Sequence, residues 1–358
     1  MITSIAHVTA PRFLIVRLSA IGDVIHGLPV LTSLRAAWPQ AFIAWVVEGR
    51  AAELLAGHPA LNAVVSVKRG WLKHPASVLD LRSRLRTLDV DIAIDLQGLT
   101  KSAIAARLSG ARQRIGFAGS DGREISRWLN NNRVLPTARH VIDRNLELLR
   151  PLGIHAPAAG SRDPAELFNL PESPEPAAAA MDILYAGQLL PSFALVNPGA
   201  GWPSKLWPPD RFAAVAEYLG RRHGLSSLVA WAGEKERGWA VEIVNRAGGH
   251  ARLAPQTTLG ELAALARRAT LLVSADTGPL HLAVAVGTPS IGLFGPMPAE
   301  RNGPYGTRHI ALQKVCLTGN SRSRRTADNA SMLAIGVDDV TAACDMLLAR
   351  STSARECA

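Results

Sequence analysis

Five stretches of the sequence combine polar residue types with a spacing that could serve chemistry, and each follows a short apolar run. In "RLSAIGDVIHGLP", directly behind Phe13-Leu14-Ile15-Val16, Asp23 follows Ser19, Ala20, Ile21 and Gly22. A strand that turns at Gly22 into a helix delivers Asp23 to the strand's carboxyl end, where ligands of open α/β sheets collect. A Walker loop needs Gly-x-x-x-x-Gly-Lys-[Ser/Thr] and a dinucleotide fingerprint needs Gly-x-Gly-x-x-Gly; neither is present. The acid is therefore either a helix cap, worth about 1 kcal/mol, or a general base. "DIAIDLQGLTKSA" gathers Asp95, Gln97, Gly98 and Lys101 behind another run, with capping and turn formation as the plainer role.

The second half repeats the device. In "NPGAGWPSKLWP", Gly199 and Gly201 allow close approach to the backbone and Lys205 follows as a cation, a combination suited to a diphosphate. In "VSADTGPLHLAVAVGTP", Asp276 ends a strand, and Thr277 and Gly278 open a helix whose free N–H groups favour an anion. His281 falls on that helix's first turn, where packing and ligand contact are equal alternatives. "WAGEKER" sets Glu234 and Glu236 behind a strand, a position from which a carboxylate holds ribose hydroxyls.

The elements that must position these groups are short. The first half alternates strands ("FLIVRL", "FIAWVVE", "AVVSVK", "DIAIDL") with helices ("PVLTSLRAAW", "AAELLAG", "VLDLRSRLRTL"), and the second half resumes the alternation from "FALVNPG" to "PSIGLFG". That rhythm predicts two α/β domains built on parallel sheets. The Pro- and Ala-rich stretch from Pro151 to Pro191 reads as a connector, with the boundary near residue 185. The tail "STSARECA" has nothing to bury and is expected to fray.

Composition narrows the function classes. With 48% hydrophobic and 19% charged residues the chain is globular. No stretch approaches the roughly 18 to 20 apolar residues of a membrane span, and the run between Arg12 and Arg17 is too short for a signal-peptide core, so a cytoplasmic protein is expected. Cys316, Cys344 and Cys357 lack metal-ligand or disulfide spacing and read as free thiols. A formal charge of +10 favours an acidic partner. Nucleic acid is disfavoured, because helix-turn-helix, zinc-ligand and RNP-type signatures are missing. Lys68, Arg69 and Lys73 in "VKRGWLKH", and Arg123 and Arg127 in "GSDGREISRW", form either a solvated surface or, with Trp71 and Trp128, a clamp for an acidic amphiphile. Asp89-Val90-Asp91 imitates a metal-binding DxD but precedes its strand, and is assigned to loop solvation.

Together "SAIGDVIHGLPVLTSLRAAWP", "WVVEGRAAELL", "IDLQGLTKSA", "NPGAGWPSKLWP" and "SADTGPLHLAVAVGTP" resemble the lipopolysaccharide heptosyltransferases of glycosyltransferase family 9, from about Phe13 to about Leu348, with "WVVEGRAAELL" favouring the heptosyltransferase I subfamily. The resemblance implies an α/β GT-B fold of two facing Rossmann-like domains with a central cleft. Residues 1–185 would bind the acceptor, 186–335 the nucleotide sugar, and 336–358 would form a helix crossing back, plus the tail. It implies inverting transfer of heptose from ADP-L-glycero-β-D-manno-heptose to Kdo of the lipid A–Kdo inner core, without metal or cofactor, by a monomer on the anionic cytoplasmic face of the inner membrane.

By motif, the resemblance makes Asp23 the general base and Lys205 the cation that meets the departing ADP. It assigns the donor to Gly199, Ala200, Gly201, Lys205, Glu236, Asp276, Thr277, Gly278 and His281, and the acceptor to Ser19, Gly22, Lys68, Arg69, Gln97 and Arg123. Three departures stand out: Ala20 where some relatives have a second serine, Ala200-Gly201 in place of two hydroxyl residues, and "CLTGNSRSRRTADNASM", which matches nothing and leaves Arg322, Arg324 and Arg325 without a role. The alternatives are a family 9 enzyme resembling heptosyltransferase II or adding a later core sugar, and a non-catalytic nucleotide-sugar-binding adaptor at the membrane. The joint presence of Asp23, Lys205 and Asp276 argues against the adaptor.

Overall fold

The computed structural model describes residues 10–155 and 164–356. The first unit's strands are β1 (Arg12–Val16), β2 (Phe42–Glu48), β3 (Ala63–Val67), β4 (Ile92–Asp95), β5 (Gln113–Phe117) and β6 (Asn132–Val134). The second unit's are β7 (Ala194–Asn197), β8 (Ser227–Val229), β9 (Ala251–Leu253), β10 (Leu271–Ala275), β11 (Ser290–Phe294) and β12 (Ile310–Gln313). They form two six-stranded sheets, β3-β2-β1-β4-β5-β6 and β12-β11-β10-β7-β8-β9, with every pairing parallel. Counted within its own unit, each sheet has the Rossmann order 3-2-1-4-5-6.

The sequence explains why these sheets are parallel. Phe13–Val16, Ala194–Val196 and Leu271–Val273 are wholly buried, as strands covered by helices on both faces must be. The covering helices carry the matching stripe. In Leu259–Arg268, Leu259, Leu262, Ala263, Leu265 and Ala266 are buried, while Thr258 and Glu261 close a capping box at the start.

Several elements differ from the sequence expectations. "AAELLAG" forms a short 3-10 turn, Gly49–Leu54, entered through a left-handed Gly49 (φ 64°). Strands β5, β6, β9 and β12 went unread, because three to five residues including Gln113, Arg114, Arg133 and Arg252 leave too little apolar pattern.

The connector is the larger correction. Pro174–Ala186 is a helix whose Ala180 and Leu184 are buried, and it packs against Leu259–Arg268. Pro174 and Pro176 sit in its first turn, where a missing N–H costs nothing, and the Ala run that follows is the best helix former. Leu167–Pro171 accordingly belongs to the first unit and the chain from Glu172 to the second, so the boundary falls some residues before 185. The final helix, Val337–Glu356, belongs to the second unit, whose core takes in Val340, Ala343, Cys344 and Leu347. It runs six residues into the tail expected to fray, while Cys357 lies outside the described residues. Cys316 and Cys344 are free thiols, the second pushed up to about 12 by burial.

Leu184→Ala should lower the stability of the second unit by about 2–5 kcal/mol. Hydrogen exchange should show faster opening of β7 to β12 with β1 to β6 unchanged; equal acceleration of both sheets would contradict the revised boundary.

Candidate active site

Register brings the first cluster together. Val16 at the end of β1 lies opposite Val46 of β2 and Asp95 of β4, so the segments leaving these three strands emerge side by side. Asp23 is on the short helix Ile21–Ile25, with its side chain about one-third exposed. Its Oδ2 accepts the Ala20 N–H at 3.0 Å, and its Oδ1 pairs with Arg17 at 2.5 Å. The capping role is thus real but one-sided, since Ala20 has no hydroxyl to complete the box. Arg17 is buried and also donates to the Leu96 carbonyl. The Gln97 side-chain oxygen accepts the Leu18 N–H at 3.0 Å, which spends it on fixing the exit from β1.

Beside this pair, Lys101 donates to Ser19 Oγ (3.1 Å) and to Glu48 (2.7 Å), a buried carboxylate ending β2. Asp95 is fully buried and caps the next turn, accepting from the Gln97 and Gly98 N–H groups and from Asn130 Nδ2. Burial pushes its carboxyl above the usual range despite those donors. Gly98 takes a left-handed φ of 64°, and a Cβ there would collide with the Asp121 carbonyl; the loop docked against it carries Arg123, whose N–H donates to the Gly98 carbonyl.

Lys68, Arg69 and Arg123 lie beyond the flanking strands β3 and β5, exposed and without an ion pair among the described residues. Trp71 does not join a clamp with them: it is buried in the first unit's core. Trp128 is 74% exposed, with Arg127 5.4 Å from its ring centroid. Asp91 accepts the Arg12 N–H at 3.0 Å, a loop role. Among the described residues no group of three His, Cys, Asp or Glu is arranged to hold a metal.

The second cluster stands where β7 meets β10, the corresponding switch point of its sheet. Lys205 Nζ reaches Asp276 Oδ2 at 2.5 Å and the Asp276 carbonyl at 3.1 Å, and His281 Nε2 shares a 3.3 Å hydrogen bond with Asp276 Oδ1. Burial alone would raise the Asp276 carboxyl, but the hydrogen bond with His281 and the Lys205 charge outweigh it, and the net direction is down. Asn197 Nδ2 donates to Ser274 Oγ and Thr277 Oγ1, so the Thr277 hydroxyl is turned into the fold. The helix Gly278–Ala285 begins immediately after it, leaving first-turn N–H groups without intrahelical partners.

Next to this network is a cavity of about 340 Å³, lined by Ala200, Gly201 and Trp202 on one side and Gly233, Glu236 and Trp239 on the other. Glu236 accepts the Ala232 N–H at 2.9 Å, and burial pushes its carboxyl up. Gly199 is needed here for an unforeseen reason: a Cβ would come within 2.7 Å of Glu236 Oε2. Glu234 also lines the cavity but is largely exposed, with Arg237 3.8 Å away.

Sequence reasoning missed three members of these networks, Arg17, Glu48 and Asn197, and it singled out Lys101 without its partner Glu48. Glu48 and Asn197 are the last residues of β2 and β7, so the strand-end rule that selected Asp276 would have found them.

Asp276→Asn strands a mostly buried ammonium, and should cost about 3 kcal/mol or more of stability near neutral pH. Because the folded-state carboxyl titrates below its ordinary range, the pair's contribution is complete above about pH 4 and is lost as pH falls through the depressed value. Urea unfolding of wild type and variant at a series of pH values should show the gap closing only below about pH 4.

Residues 78–330 match glycosyltransferase family 9 (heptosyltransferase). Lipopolysaccharide heptosyltransferase 1 of Pseudomonas aeruginosa is 31% identical over 84% of this chain and 83% of its own length. Among solved structures, a family 9 glycosyl transferase from Veillonella parvula superposes with a TM-score of 0.78 at 22% identity, covering 95% of this chain and 97% of that one. E. coli heptosyltransferase WaaC with ADP superposes with a TM-score of 0.70 at 24% identity, covering 92% and 95%. With two α/β units of Rossmann order and a family match over most of its length, the chain belongs to glycosyltransferase family 9, the heptosyltransferases, and has their GT-B fold.

Proposed function

We propose that the protein transfers heptose from ADP-L-glycero-β-D-manno-heptose to Kdo of the lipid A–Kdo inner core, with inversion at the anomeric carbon. The observation that carries the reading is Asp23 beyond the carboxyl end of β1, about one-third exposed and held by Arg17 and the Ala20 N–H. A carboxylate offers about four acceptor positions. The two bonds it makes therefore orient it and leave lone pairs for a substrate hydroxyl.

In this mechanism Asp23 takes the proton from a Kdo hydroxyl while that oxygen bonds to the anomeric carbon and the bond to the ADP phosphate oxygen breaks. Such help contributes about 10² to 10⁴-fold. The charge gained by ADP is met by Lys205 and by the N–H groups at Thr277-Gly278. Glu236 takes the ribose, beside Gly199, Ala200 and Gly201, while Asp276 and His281 hold Lys205 in place. Ser19 and Gly22 shape the turn beside the acceptor, Gln97 braces it, and Lys68, Arg69 and Arg123 meet acceptor phosphates and carboxylates. No metal is needed in this scheme, because fixed cations and backbone donors do its work.

Single-turnover transfer from ADP-heptose to deacylated Kdo₂-lipid A, with EDTA present, should give a product one heptose heavier by mass spectrometry. Asp23→Asn should bind the donor as wild type does and turn over at least about a hundredfold more slowly. Donor binding without transfer in the wild type would move the acceptor to a later core sugar, and an Asp23→Asn variant of normal turnover would leave Asp23 as a cap alone.

The acceptor of this reaction is membrane-anchored, and among the described residues no helix is long and apolar enough to cross a membrane. Peripheral docking at the cytoplasmic face of the inner membrane is therefore part of the proposal, with exposed Trp128 and its neighbours Arg123 and Arg127 as the contact. Each basic residue near an anionic surface adds about 1 kcal/mol. Flotation should show binding to vesicles containing phosphatidylglycerol and loss of binding for Trp128→Ala combined with Arg127→Ala; equal binding to neutral vesicles refutes the idea.

A further inference from the structure

The segment after β12, to which sequence reasoning gave no role, lies against the turn Pro203–Lys205 of the second unit. Asn320 caps the helix Ser321–Thr326 by accepting the Arg322 and Ser323 N–H groups, and Arg324 donates to the Leu317 carbonyl. Asn329 Nδ2 donates 3.0 Å to the Leu206 carbonyl, fastening the segment to the turn Pro203–Lys205. As a result the Arg325 guanidinium lies 5.8 Å from the ring centroid of Trp202, whose ring also has Lys205 Nζ at 4.6 Å.

The two cations on this indole differ in what neutralises them. Lys205 is committed to the Asp276 carboxylate and carbonyl, which leaves little net positive potential for a ligand. Arg325 is exposed and makes no ion pair among the described residues. Trp202 lines the cavity, and Arg325, which is not itself part of the lining, lies next to it through that ring. A guanidinium stacked on an aromatic face keeps its planar fork of donors available for two oxygens of one phosphate.

We propose that Arg325 is the second cation for the diphosphate of the nucleotide sugar, with Trp202 as the platform from which it reaches the phosphates. The proposal rests on the donor-binding reading above. It adds to the paired Lys205 a cation on the Trp202 side of the cavity, opposite Lys235, which lines the other side with its Nζ 5.2 Å from the Trp239 ring centroid.

Titration calorimetry with ADP and with adenosine, on wild type, Arg325→Ala, Arg325→Lys and Arg322→Ala, tests it. Arg325→Ala should bind ADP about tenfold more weakly, the loss of roughly one charged hydrogen-bonded contact. Adenosine affinity should be unchanged, Arg325→Lys should fall between, and Arg322→Ala, on the same helix but away from Trp202, should match wild type. The salt dependence of ADP binding should be shallower in Arg325→Ala. Wild-type affinity for ADP in Arg325→Ala overturns the proposal, and so does an equal loss for adenosine, which would mean that Arg325 only supports Trp202. Failure of the wild type to bind ADP at all would instead remove the donor reading, and this inference with it.

Discussion

Parallel pairing of one strand with neighbours on both sides is the constraint from which both sites follow. Where β1 lies between β2 and β4, and β7 between β8 and β10, the crossovers depart in opposite directions and a gap opens at the carboxyl ends. Side chains in that gap come from segments far apart in sequence: residues 17–23, 48 and 97–101 in one unit, 197–205, 232–236 and 276–281 in the other. Apolar strands that stay buried along their length set the register, and register sets which polar residue is first out of the sheet.

What each unit does with the gap is electrostatically alike. Arg17 with Asp23, Lys101 with Glu48, and Lys205 with Asp276 are cation–carboxylate pairs at strand ends. Such pairs gain little net stability from burial, because desolvation offsets much of the attraction. Their effect is to fix rotamers: a long side chain with two partners cannot wander, and a group held in place before substrate arrives loses less entropy in reacting. Gly199 fits the same logic, since its missing side chain admits the Glu236 carboxylate beside the cavity.

Much of this was legible in the sequence, and the limits have physical causes. The long apolar runs and the amphipathic Pro209–His223 and Leu259–Arg268 helices declare themselves, and Asp23 and Asp276 were found by their position behind such runs. The Pro174–Ala186 helix was hidden by its prolines, because a breaker in mid-helix is a favourable first-turn residue and only the starting point distinguishes the two. Trp71 was hidden by its neighbours: Lys68, Arg69 and Lys73 mark a surface, yet the indole between them turns into the core. The partners of a charged residue were the least legible, since Arg17 with Asp23 is a local pairing but Lys101 with Glu48 depends on the register of two strands.

That last point bears on how charge is counted at such a site. Lys205 reads in sequence as a free cation beside a glycine-rich turn, but the fold brings Asp276 and His281 to it across two strands, and the resulting group is a buried network with little net charge. Its field at a phosphate is that of an oriented dipole, short in range and strongly directional. Under the proposed donor reading, attraction of a diphosphate from solvent must then come from charges without an ion pair among the described residues near the cavity, Lys235 in its lining and Arg325 beside Trp202. Orientation is thus assigned to the paired residues at the sheet edge, and attraction to the unpaired ones around it.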